Sequence, residues 1–185
     1  ERGERGGGLV EVGAGAGQTI LDGEGAAAVV FLENNAAILG CTVRNGQVGI
    51  RSQNGFVGVF ECAVSGTVRE GIRVEGGSAC LVDNDLACGA EATGVVCAGS
   101  NPFLNRNVIR NNKVGVRIQG PLVPVVQDNV FQSNETAVVV QDGSSVELTG
   151  NVFDGNGTAI LGQELAAGNE IRAAMPEELL PAGGV

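Results

Sequence analysis

Histidine, tryptophan and tyrosine are absent from this chain of 185 residues, and lysine occurs once, at Lys113. Without histidine there is no Ser-His-Asp or Cys-His nucleophilic centre, no imidazole general base and no His-bearing zinc site. Without tryptophan and tyrosine the usual stacking platforms for sugars and bases are missing. No run of 18 apolar residues exists, so no segment reads as a membrane-spanning helix. Positive charge is scarce as well: 11 Lys and Arg stand against 21 Asp and Glu, a net charge of −10. That balance argues against nucleic acid and anionic membrane as partners. Cysteines number five (Cys41, Cys62, Cys80, Cys88 and Cys97), an odd count with no CxxC pair. They read as small buried thiols rather than a disulfide framework, with a mild preference for a reducing intracellular or organellar compartment.

What is abundant is glycine, at 31 residues, and aliphatic side chains: 43% of the chain is hydrophobic but only 3% aromatic. The apolar residues recur with a period. Asn107-Val108-Ile109, Asn129-Val130-Phe131 and Asn151-Val152-Phe153 lie 22 residues apart. Extended backwards, that register gives a column of Leu21, Val43, Val64, Leu86, Val108, Val130 and Val152, which is expected to face inward. A second column runs Val29, Ile50, Ile72, Val95, Val116, Val138 and Ile160, with a small residue (Gly49, Gly71, Gly94, Gly115, Ala137, Ala159) before most members. A third is Leu39, Phe60, Val82, Leu104, Val126 and Leu148. Three short β-prone runs per period, with no helical pattern between them, predict a solenoid whose strands pair in parallel with their counterparts one coil on. Hydrogen bonds then run along the stack, about 4.8 Å per coil, and lateral edges disappear.

Asparagine follows the same period. Asn107, Asn129 and Asn151, with Asp85 one coil earlier, form one expected turn ladder, and Asn112, Asn134 and Asn156 form another. Asn tolerates the left-handed conformation of tight bends, and stacked amides hydrogen-bond along an axis. The Asn-x-[Ile/Phe]-x-x-Asn-x-x-[Gly/Ala]-[Ile/Val] pattern at 107–116, 129–138 and 151–160, together with the opening Gln18-Thr19-Ile20-Leu21-Asp22-Gly23, resembles right-handed parallel β-helix repeats of the pectin-lyase-like superfamily. The fold class expected is therefore all-β, a right-handed parallel β-helix of about seven coils over residues 18–162. Residues 1–17 would be a Gly-rich arm, and residues 163–185 a C-terminal cap with one helical turn at Pro176–Pro181. No helix precedes the first coil to cap it.

The resemblance covers lyases, hydrolases, epimerases and proteins without known catalysis, so activity must be argued from side chains. A calcium-dependent lyase would need converging carboxylates. The nearest group here is Asp83, Asp85 and Asp128, with Arg106 and Arg110 between them. These acids read as solvated turn residues facing arginine, and no metal or other cofactor is called for. Lys113, beside Asn112 in a turn, is a poor general base. Cys41 and Cys62 are near enough for a bridge, but parallel neighbours aim their side chains alike. On the outside, Arg51, Arg73, Val96, Arg117, Val139 and Leu161 share one position, and Gln53, Glu75, Ala98, Gln119, Gln141 and Gln163 lie two residues on. Arginine beside exposed aliphatics suits a protein interface, and Arg–Gln pairs suit glycan hydroxyls. Two functions follow as expectations. The first is a non-catalytic scaffold presenting flat faces to a protein partner, as a subunit of a larger assembly. The second is a carbohydrate-active or glycan-binding domain.

Overall fold

The computed structural model describes residues 10–141 and 143–172, so Pro176–Pro181 and the start of the Gly-rich arm lie outside the described residues. Among these residues all regular structure is strand, and each of seven coils contributes three, with Glu170–Arg172 as one strand more. The coil Ser78–Val82, Asp85–Ala87, Thr93–Ala98 is representative. Its strands join three parallel sheets that run the length of the stack. The first has seven strands, from Val10–Val12 to Glu147–Thr149. The second has eight, from Ile20–Asp22 to Glu170–Arg172, and the third has seven, from Ala28–Glu33 to Thr158–Leu161. The solenoid therefore reaches past the expected limits of 18 and 162 at both ends. Val10–Val12 pairs with Ala37–Leu39, and Glu170–Arg172 pairs with Val152–Asp154.

Alternation along each strand decides what is buried. Ile38, Val59, Leu81, Leu104 and Val126 line the interior from the first sheet, and Val43, Val64, Leu86, Ile109, Phe131 and Phe153 from the second. Ile50, Ile72, Val95, Val116 and Val138 line it from the third. Phe131 and Phe153 stack with ring centroids 5.0 Å apart and 6° between planes. Glycine beside the third-sheet column lets successive coils approach. A β-carbon on Gly94 would stand 2.7 Å from the Gly115 carbonyl oxygen.

Two of the three expected columns slip by one residue. Leu86 is in register with Ile109, not Val108. Val108, Val130 and Val152 do stack in register, but on the outer side of the sheet, and are only half-buried. The first-sheet column slips as well: Leu39, Phe60 and Val82 point outward, while Leu104, Val126 and Leu148 point inward. The cause is one bend. Cys88 to Ala92 makes five residues between strands, where Gly66 to Arg69 makes four in the coil before. The step from Leu86 to its true partner is thus 23 residues, and a one-residue slip exchanges the faces of a strand. In the third sheet the expected register holds from Ile50 onward, with Val30 rather than Val29 as the first partner.

Candidate functional site

The asparagine ladders are continuous, and buried except at their last rungs, Asn156 and Asn169, which are half-buried. Asn84 Nδ2 donates to Asn107 Oδ1 at 2.9 Å, Asn107 to Asn129 at 2.9 Å, Asn129 to Asn151 at 3.1 Å and Asn151 to Asn169 at 2.9 Å. Each Oδ1 also accepts the backbone N–H of the preceding rung, as Asn129 does from Asn107 at 2.9 Å. Asn84, not Asp85, is thus the earlier rung, for the same register reason. The second ladder links Asn112, Asn134 and Asn156, with Nδ2 to Oδ1 distances of 3.1 and 3.0 Å. The left-handed conformation belongs to the residue before each rung: Asp83, Arg106, Asp128 and Gly150 in one column, Asn111, Ser133 and Gly155 in the other. With their amides occupied by one another and by backbone carbonyls, these asparagines hold coils together.

The acidic turn group does not converge. Asp83 and Asp128 flank Arg106 on the bend between the first and second sheets, whereas Asp85 projects from the second sheet. Arg106 holds Asp83 at 2.6 Å, and Arg110 holds Asp85 at 2.8 Å. The hydrogen bond from Arg106 keeps the Asp83 carboxyl below its usual range. Among the described residues no three His, Cys, Asp or Glu side chains are placed to share a metal ion. Calcium needs six to eight oxygens, and carboxylates already bonded to guanidinium groups do not fit that demand. Lys113 meets Glu91 at 3.2 Å on the surface.

The outer face of the third sheet carries the richest chemistry. Phe31, Arg51, Arg73, Val96, Arg117, Val139 and Leu161 are in register across it, as expected from Arg51 onward. Glu75 is its charged centre. It accepts from Gln53 at 2.8 Å, from Arg51 at 2.9 Å and from Arg73 at 2.5 Å, and Arg73 also pairs with Glu70 at 2.9 Å. Burial alone would raise the Glu75 carboxyl; the hydrogen bonds from Gln53, Arg73 and Arg51 outweigh it and bring its pKa down to about 2. A shallow depression of about 390 Å³ opens here, lined by Gln47, Arg51, Arg69, Glu70, Arg73 and Glu75 together with Ala27 and Val48. Arg69 is exposed and makes no ion pair among the described residues.

Further along, Val96 is 1% exposed and Val139 7%, so they are covered rather than presented, while Leu161 is 58% exposed. Arg117 lies in register between Val96 and Val139, with its Nε buried and without a hydrogen-bond partner. Gln119 is in register with Ala98, and Gln141 follows the last paired residues of its strand, exposed. Gln163 turns away from this face to bond Val146 in both directions, at 2.9 and 3.0 Å. Phe31 was missed because its coil is short: Ala28 pairs with Val48, a step of 20 residues. Arg69 and Glu70 belong to a bend and strand start outside any apolar column, so periodicity carried no signal for them.

All five cysteines are free thiols, Cys80 half-buried and the others buried. Cys41 and Cys62 take the ladder position in the first coils, and Cys62 N–H donates to Asn84 Oδ1 at 3.0 Å. Burial pushes Cys97 up to about 12 and Cys88 to about 11, which leaves both inert as nucleophiles.

Three parallel sheets closing one continuous apolar core define a parallel β-helix. The chain matches the family described as right handed beta helix region over residues 27–172, and it belongs to that family. No curated protein and no solved structure matches it.

Proposed function

We propose that this protein is a non-catalytic scaffold, a rigid right-handed β-helix that presents its third-sheet face to a protein partner within a larger assembly. The observation that carries this reading is the state of the candidate acids: Asp83 and Asp85 are bonded to Arg106 and Arg110 instead of meeting around a substrate. Two further features support it. Between Ile20 and Val140 the bends between strands run only two to five residues, too short among the described residues to wall a cleft there. Arg51 and Arg73 project from a surface pre-ordered by ion pairs and sheet hydrogen bonds, so docking them costs little side-chain entropy. The test pairs affinity purification from the native source with reconstitution using the purified co-purifying protein. Direct binding weakened by Arg73→Glu supports the scaffold. Turnover of pectin, alginate or xylan that disappears in Asp85→Ala or Asp128→Ala overturns it.

A second reading rests on the depression beside Arg69. One unpaired guanidinium, two ion-paired ones and the Gln47 amide form a donor set that suits an acidic glycan. Binding of oligouronates weakened by Arg69→Ala, without turnover, would favour that reading.

A further inference from the structure

The outward side of the first sheet is apolar in both columns as far as Val82 and in one column beyond it, where Asn105 and Gln127 continue the other. Leu39, Phe60 and Val82 follow one another in register, as do Cys80, Phe103 and Val125 in the adjacent outward column. From Val10–Val12 to Val125–Gln127 no outward position of this sheet carries a charge; the first is Glu147. All six side chains are at least partly exposed, Phe103 to 37%. Gly58 contributes by lacking a side chain, because a β-carbon there would collide with the ring of Phe60, which lies across it. One border of the stripe is the left-handed bend column: Glu61, Asp83 and Asp128 with Arg106, three carboxylates against one guanidinium. Arg106 is bonded to Asp83, and neither Glu61 nor Asp128 has an ion pair among the described residues.

We infer that this stripe seats an amphipathic α-helix of a partner protein, apolar face down, with Lys or Arg along the flank that meets Glu61 and Asp128. The inference rests on the scaffold reading and names a second contact face for it. Shape selects a helix. Two columns of side chains about 7 Å apart run over six strands at about 4.8 Å, a strip about 24 Å long whose column beside the bends ends in the neutral amides Asn105 and Gln127. That is the length of a helix of about 16 residues, whose diameter of about 10–12 Å matches the width. A partner strand is not favoured, since the stack leaves no backbone edge along its side. A second copy fits poorly too: the strip is well short of the roughly 800 Å² per partner of a stable interface, and each copy brings a net charge of −10. Residues 173–185 of the chain itself contain two Glu and no Lys or Arg, the wrong charge for this border.

The test uses the full chain and three fluorescent 18-residue peptides: a Leu/Ala-faced helix flanked by Lys, the same helix flanked by Glu, and a shuffled Lys version. Anisotropy is expected to show saturable binding of the Lys-flanked helix, about tenfold weaker binding of the Glu-flanked one and none of the shuffled control. Phe103→Asp should weaken binding at least as much while Lys113→Ala, on the bend between the other two sheets, leaves it unchanged, both variants being checked for a native melting curve. Maleimide labelling of Cys80 should slow when the peptide is bound. Absence of saturable binding, or binding indifferent to Phe103→Asp, overturns the inference. So does a dimer in light scattering that Phe103→Asp disperses, which would assign the stripe to a second copy. Failure of the peptides with a purified partner still held at Arg73 removes only the helix seat. Polysaccharide turnover with helix binding intact removes only the scaffold reading.

Discussion

Between Cys41 and Val82 the coils are joined by aliphatic packing, with thiols at the bend position, whereas from Asn84 onward the same position carries an amide in every coil. The thiols add little along the axis: Cys62 Sγ lies 3.9 Å from the Ile38 carbonyl oxygen, against 2.9 Å for the Asn84 Nδ2 bond to Val59. The interior differs likewise, with Val43 and Val64 where the later coils have Phe131 and Phe153. What the first half has instead is a connected ionic network on its outside, Arg51, Arg73, Glu70 and Glu75, where the later coils carry separate pairs such as Arg110–Asp85. One backbone path is thus reinforced by different means in its two halves: a buried amide ladder in the later coils, a clustered external ionic network in the earlier ones.

The largest effect should come from the later core. Phe131→Ala removes a stacked ring and is expected to cost about 3–5 kcal/mol, against about 2 kcal/mol for Val64→Ala. Denaturant melts of the two variants measure the gap, and equal losses would erase the difference between the halves. Next come the bend positions. Asn129→Ala strands the Asn107 N–H and the Leu104 carbonyl in the interior, a loss of about 2–4 kcal/mol, while Cys62→Ala should cost about 1 kcal/mol.

Acid sharpens the contrast. The Glu75 pKa is depressed to about 2, so between its ordinary value of 4.5 and that point the unfolded chain takes up a proton that the folded chain refuses. Stability from this group is complete above pH 4.5 and is lost as pH falls toward 2. Hydrogen exchange should therefore show the first half loosening before the second, and Glu75→Gln should flatten that difference. The smallest effect is expected at the exposed pair: Arg106→Ala should change stability by less than about 1 kcal/mol.

Much of this was legible from residue spacing, because a stack of nearly equal coils repeats its side chains at nearly equal intervals. The outward line of Arg51, Arg73, Val96, Arg117, Val139 and Leu161 could be read because a small residue marks the same point in almost every third-sheet strand. In the other two sheets both faces are aliphatic. Val108 beside Ile109, or Val130 beside Phe131, offers no contrast to tell inside from outside, and one extra residue in the Cys88–Ala92 bend was enough to exchange them. The ladder would have resolved the register, since placing Asn84 above Asn107 carries Ile109 inward. Val96 and Val139 were read as presented surface; long arginines beside them and a tightly paired sheet explain why they are covered. The depression at Arg69 was not legible, because it depends on how a bend sits against two neighbouring strands.

The left-handed residue ahead of each ladder asparagine has one more consequence. At that bend the chain accommodates Gly40, Glu61, Asp83, Arg106, Asp128 and Gly150 in the same conformation. Non-glycine residues there are held by the stack rather than by their own preference, at a strain of about 1 kcal/mol each. The position is thus decoupled from the core: its backbone is dictated by the coils on either side, and its side chain points to solvent. A substitution there rewrites the charge along one edge of the molecule while the interior stays as it is. A protein with such an edge can change what it recognises, one coil at a time, without refolding its scaffold.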